Sequence, residues 1–169
     1  MPTKRQGRLG TALAAFTAGA SLVGAVHGAY VAIRDDLARS RITMKNPDPD
    51  GPRVWGPCQV VEGTGSVGEG RSLLVGVLPL SVFRAQWRFT IVPVVGGRWD
   101  LVVPLDPGNT KAKDQRFRVV ILDTEAETAR YAATSGAGDE NSWTNPQLPP
   151  RNSVFSQFEV WRGSGTDSC

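Results

Sequence analysis

Residues 87–103 read WRFTIVPVVGGRWDLVV, and this stretch decides the fold class. Trp87, Phe89 and Ile91 alternate with Arg88 and Thr90, and Trp99, Leu101 and Val103 alternate with Asp100 and Val102. A period of two places successive side chains on opposite faces of a strand. Between the runs, residues 95–98 read VGGR and supply the glycines that a tight turn needs. The pattern predicts a β-hairpin with one buried face.

The same period extends outward. Phe117, Val119 and Ile121 repeat it after a Pro-Gly-Asn loop at 107–109, residues 58–62 and 72–78 read as earlier strands, and 153–162 as a last one. Residues 124–133 read as a short helix or an irregular strand. Residues 135–151 read as a long surface loop, since three prolines and two glycines interrupt any period. Strands at this spacing, separated by Gly/Pro turns, predict an antiparallel β-sandwich over 54–163. A flexible tail over 164–169 follows it. Upstream, residues 46–53 open with NPDPDGP, where proline and glycine forbid regular structure. Residues 34–53 are expected to be the end of a helix and then a linker.

That helix begins in the second informative stretch, GTALAAFTAGASLVGAVHGAYVAI at 10–33. It is uncharged and follows a basic tail over 1–9 with Lys4, Arg5 and Arg8. As a helix it would be roughly 36 Å long, against a hydrocarbon core of roughly 30 Å. A single-pass transmembrane anchor is expected. A cleaved signal peptide is the rival, with Val26, His27 and Gly28 ahead of a cut before Ala29. Ala20, Gly24, Gly28 and Ala32 recur every four residues and would put small residues on one helix face. Such a face lets two helices approach closely in lipid, so a homodimer through the helix is a candidate arrangement.

Charge and cysteine content narrow the function. All 16 acidic residues follow Ile33, and of the 19 basic ones only Lys4, Arg5 and Arg8 precede it, so the formal charge of +3 belongs to the N-terminal tail. This balance is not the footprint of a nucleic-acid binder, which needs a clustered basic face, so no nucleic-acid partner is expected. Cys58 and Cys169 are the only cysteines. In an exported domain they are disulfide candidates; an intermolecular bridge and two free thiols are the alternatives.

The order of motifs carries a resemblance. A strand begins near Cys58, a glycine-rich turn ends EGR at 69–71, and LLVGV follows at 73–77. GRWDL at 97–101 and QRFRV at 115–119 complete the series. Residues 54 to 163 resemble the immunoglobulin-like β-sandwich domains displayed outside many Gram-positive bacteria. The resemblance implies that fold and a surface location, and no particular activity. The mid-domain Cys…Trp…Cys spacing of antibody domains is absent.

Candidate chemistry is sparse. GTGSVG at 63–68 matches the GxGxxG pattern, but a dinucleotide site needs a helix next and a β-like run follows at Ser72. Asn46, Asp48 and Asp50 ahead of Gly51 resemble half of a calcium loop, yet the twelfth position is Pro57 instead of a carboxylate. Asp123, Glu125 and Glu127 read as solvated surface. The sole histidine, His27, lies in the apolar run, which leaves the domain without a Ser-His-Asp or Cys-His arrangement and without histidine for zinc. No catalytic, cofactor or metal residue is assigned. Trp87 and Trp99 fall in phase with buried positions. Trp143, in NSWTN at 141–145, reads as an exposed loop residue able to anchor a protein or stack on a glycan.

The expected protein is a mainly β, non-catalytic recognition or assembly module at the cell surface. It would be held in the membrane by residues 10–33, with the domain outside. A carbohydrate-binding module and an accessory subunit of a membrane complex, with a cytoplasmic domain, are the competing expectations.

Overall fold

A computed structural model of the chain describes residues 40–48, 50–135, 141–165 and 169. The 10–33 run and its small-residue positions Ala20, Gly24, Gly28 and Ala32 lie outside the described residues. Among the described residues no helix is long and apolar enough to cross a membrane.

The described chain is mainly β. Its strands are β1 (Arg41–Asn46), β2 (Val54–Trp55), β3 (Cys58–Ser66), β4 (Arg71–Pro79), β5 (Trp87–Val92), β6 (Arg98–Pro104), β7 (Arg116–Glu125), β8 (Ser142–Asn145) and β9 (Ser153–Arg162). One helix, α1 (Ala126–Ser135), lies between β7 and β8. The strands form two sheets, ordered β1-β3-β6 and β2-β9-β7-β4-β5-β8. Pairing is antiparallel except for β2, which runs parallel to β9 with Val54 opposite Trp161.

Two readings of the sequence change here. The alternation at 87–103 does produce two strands, but they do not form a hairpin. β5 pairs with β4 and β8, and β6 pairs with β3 in the other sheet. Pro93 has no N–H to continue a ladder, and Gly96 and Gly97 adopt positive φ. The turn therefore carries the chain between sheets, and Val95 and Arg98 form its only bridge. Residues 41–44, expected as helix, belong to strand β1. Ile42 and Met44 alternate with exposed Arg41, Thr43 and Lys45, and the strand pairs with β3 from Arg41↔Ser66 onward. Asp48, Asp50 and Gly51 of the NPDPDGP segment are thus part of a turn between β1 and β2.

The main core fills the space between the sheets. Val61, Trp99 and Val103 from the small sheet meet Leu73, Val75, Val77, Phe117, Val119, Ile121 and Val160 from the large one. A second core lies on the opposite face of the large sheet. There Leu74, Phe89, Val120 and Leu122 are covered by Ala129 and Ala133 of α1 and by Trp87 and Trp143. β4 and β7 are consequently buried on both faces. This explains why they read as continuous apolar runs, as fully buried strands do. Each fully buried Leu, Val or Phe contributes about 1.5–3 kcal/mol.

Close approach fixes two glycines of the GxGxxG match, Gly63 and Gly65. A Cβ on Gly63 would stand 2.1 Å from the Thr43 carbonyl and 2.4 Å from the Trp99 ring. Gly63 and Gly65 lie in β3, where β1 and Trp99 pack against the backbone, and no helix follows them.

Candidate functional site

Register sorts the molecule into two ends. Pairing of Cys58 with Pro104, Pro79 with Phe117 and Arg116 with Trp161 places these residues at one end. Ser66, Arg71, Glu125 and Ser153 lie at the other, where the described chain begins at Ser40. The ends are separated by the length of β3 and β4, about 30 Å for nine residues.

A cleft of about 460 Å³ opens at the first end. It exists because six strands face three. The inner side of β5 and β8 extends past the small sheet, and strand alternation puts Arg88 and Thr144 on that side. Val77, Pro79 and Phe117 form its apolar wall, and Pro104, Asp106 and Gln115 close it from the β6–β7 loop. The β4–β5 loop, LSVFRAQ at 80–86, forms the lip. Its Phe83 is 87% exposed, and the Arg84 guanidinium lies 5.3 Å from the centre of that ring. Arg84 has a φ of 56°, a left-handed conformation that costs a non-glycine residue about 1 kcal/mol. Held this way, Phe83 and Arg84 project from the fold. Among the described residues neither Arg84 nor Arg88 has an ion-pair partner.

The other wall of the cleft is held by a buried charge. Arg162 has no exposed surface, and its guanidinium bonds only to carbonyls. Nε donates to Leu105 at 2.7 Å, Nη1 to Gly163 at 3.1 Å and Nη2 to Gly165 at 3.0 Å. Its backbone N–H donates to Gln115 O, and its carbonyl accepts from Asp114 N–H. Asp106 also accepts from the Asn109 amide at 2.7 Å. The β6–β7 loop is therefore fixed where it lines the cleft. Cys58 and Cys169 are joined in a disulfide at this end, with 5.5 Å between Cα atoms. Within the stretch expected as a flexible tail, Gly165 is held by Arg162 and Cys169 by this bond.

The opposite end holds a linked network of ion pairs. Asp123 is 1% exposed and accepts from Arg71 Nε at 2.7 Å, from Arg71 Nη2 and from the Ser153 N–H at 3.2 Å. Arg71 Nη2 also donates to the Arg151 carbonyl, and Arg151 pairs with Glu125 at 2.6 Å. Burial, the largest influence, pushes the Asp123 carboxyl up. The Arg71 hydrogen bonds, Ser40, the Arg71 charge and the Ser153 N–H together outweigh it and hold the group below its ordinary value. Ser40 also accepts from the Gly68 N–H at 2.9 Å. Asp123, expected as solvated surface, is thus a buried structural charge.

Trp143 requires a second correction. It is 3% exposed, sits in β8 opposite Phe89 and packs on that ring at 5.5 Å between centroids. It belongs to the core under α1 and offers no free ring to a partner. The half-calcium loop is used locally, since Asp48 accepts from Asp50 N–H and Gly51 N–H. Among the described residues no group of three or more His, Cys, Asp or Glu side chains is placed to hold a metal.

The sequence reading missed Phe83, Arg84, Arg88 and Arg162. Arg162 had a signal: it falls in phase with Phe158 and Val160, where a charge must be buried and satisfied. An apolar trio, Leu80, Val82 and Phe83, in a turn between strands was the signal for the lip. In comparisons with known proteins, no family model, no curated protein and no solved structure matches this chain.

Proposed function

We propose that this chain is a membrane-anchored, non-catalytic recognition module of immunoglobulin-like build, displayed outside the cell. It would engage a partner through the cleft between the β4–β5 and β6–β7 loops. The observation that carries this reading is the lip: Phe83 and Arg84 stand exposed, Arg84 on strained backbone, beside a pocket with a fixed opposite wall. Backbone strain persists where the surrounding structure over-determines it, and it concentrates at binding sites. Rigid sheets that position variable loops are a common way to build such sites.

Strand connectivity supports the immunoglobulin-like part. β3 pairs with β6, β4 with β7 and β7 with β9, while the first strand region divides between the two sheets as β1 and β2. The insertion of α1 and β8 between β7 and β9 departs from that plan. The disulfide favours an oxidising compartment, and the uncharged run at 10–33 favours an anchor.

Two measurements on intact cells test the reading. A membrane-impermeant thiol reagent should label the chain only after reduction. A photo-crosslinking phenylalanine analogue at position 83 should give a discrete heavier product. The same analogue at Tyr131, 75% exposed on α1, should not. Thiol labelling that needs cell lysis and no reductant would move the domain inside and favour the accessory-subunit reading. Equal crosslinking from both positions would remove the cleft from the argument.

One observation favours the glycan reading over a new surface. Trp161 is 41% exposed on the outer face of β9, beside Arg53, Arg118, Gln157 and Glu159. An aromatic ring framed by hydrogen-bonding side chains suits a sugar. Trp161→Ala should abolish any tryptophan fluorescence change produced by a polysaccharide.

A further inference from the structure

We infer that the cleft takes an acidic peptide segment of a partner protein, one in which a carboxylate stands next to a large apolar side chain. This rests on the recognition reading above and names its ligand class. The cleft is divided by chemistry. Val77, Pro79 and Phe117 offer an apolar wall, while Arg84 and Arg88 bring two guanidiniums to the rim. Both are exposed and free of carboxylate partners among the described residues, whereas Arg71, Arg118 and Arg151 are each spent on an acid. Guanidinium binds carboxylate through paired, charge-assisted hydrogen bonds, which are the strong ones. Charge complementarity therefore calls for an anion.

Asp106 limits what kind of anion. It lines the same cleft and, among the described residues, accepts a single side-chain hydrogen bond, from Asn109. A uniform polyanion lying across the cleft would meet this carboxylate and leave the apolar wall uncovered. A short segment with one or two acids over Arg84 and Arg88 avoids it, and a neighbouring apolar side chain fills the wall. Phe83 then covers the segment from the lip, as an exposed aromatic at a binding edge does. Because Arg162 already fixes the opposite wall, little ordering cost remains on that side.

The test begins with a displayed random-peptide library selected on the full chain in mild detergent. Recovered peptides should carry Asp or Glu beside Leu, Phe or Trp. A recovered peptide, labelled for fluorescence polarisation, should lose about tenfold or more in affinity on the double variant Arg84→Gln, Arg88→Gln, as expected for lost charge-assisted bonds. Affinity should also fall as salt rises. Both substitutions are at exposed positions and leave the cores untouched, and thermal unfolding of the variant checks this. Peptides without acids that still lose affinity on Phe83→Ala overturn the acidic class while the recognition reading stands. Peptides that bind the double variant as tightly as the original chain also overturn the proposal. A sulfated polysaccharide that displaces the peptide and binds more tightly reassigns the site to polyanions. Failure to enrich any peptide overturns the proposal, and absence of a crosslink from position 83 then removes the recognition reading with it.

Discussion

Two groups of arginines, one at each end of the domain, are used in opposite ways. At the Ser40 end, Arg71 and Arg151 are matched to Asp123 and Glu125, and the network ties β4, β7 and the segment before β9 together. At the cleft end, Arg162 is buried and satisfied by carbonyls alone, while Arg84 and Arg88 face solvent without an acid. Charges that hold the fold are saturated; charges at the cleft rim are left open. The contrast separates a closed end from a receptive one.

The largest way to break the contrast is to open the covalent anchor of the cleft end. Cys58→Ser with Cys169→Ser removes a bond that spans 111 residues, and should cost about 4 kcal/mol on the chain-entropy model. Chemical denaturation of the variant beside the oxidised chain measures this. A loss below about 1 kcal/mol would mean that the non-covalent contacts already fix this end.

Next is Arg162→Leu, expected to cost about 3 kcal/mol. It strands the carbonyls of Leu105, Gly163 and Gly165 in a buried place, and each unmet buried polar group carries its own desolvation penalty. The same variant should loosen the wall formed by Asp106 and Gln115. Hydrogen exchange of the β6–β7 loop should rise more than exchange in β4.

Asp123→Asn tests the closed end. Removing one partner of a buried pair is costly, but Arg71 retains some solvent contact, so about 2 kcal/mol is expected near neutral pH. The pH dependence has a defined sign. The folded-state carboxyl lies below its unfolded value, so its contribution is complete above the ordinary carboxylate range and is lost as pH falls through the lower, folded value. Thermal unfolding of chain and variant should therefore differ most above about pH 5 and converge in acid. A difference that grows on acidification would contradict the pairing.

The smallest expected effect sharpens the contrast most. Arg84→Gly relieves a left-handed arginine, and the extra freedom of glycine in the unfolded chain offsets most of the gain. Stability should stay within about 1 kcal/mol. Crosslinking or peptide capture at the cleft should fall in the same variant. Loss of stability with retained capture would assign Arg84 to the fold instead of the site.

Much of the strand content was legible because one rule, alternation, suffices for it. Trp87, Phe89, Trp99 and Val103 fall in buried positions as their period requires. Pairing was less legible. A Gly-Gly turn fits both a hairpin and a crossing between sheets, and only the tertiary fold decides. Trp143 misled because its Ser and Asn neighbours look like loop, whereas the second core is assembled by α1 and by residues distant in sequence. Asp123 was readable in principle, since it continues the phase of Val119 and Ile121. The cleft was not, because it arises from the unequal widths of two sheets, a quantity no local window contains.

The Cys58–Cys169 bond also decides how the domain carries load. A pull between Ser40 and Cys169 passes along the backbone to Cys58 and then directly through sulfur. Once β1 and β2 have detached from β3 and β9, the chain between the two cysteines hangs from that path as a closed loop. Stretching can peel β1 and β2, but β4, β5 and the cleft they build stay slack. A binding surface inside such a loop keeps its shape while the chain that holds it is under strain.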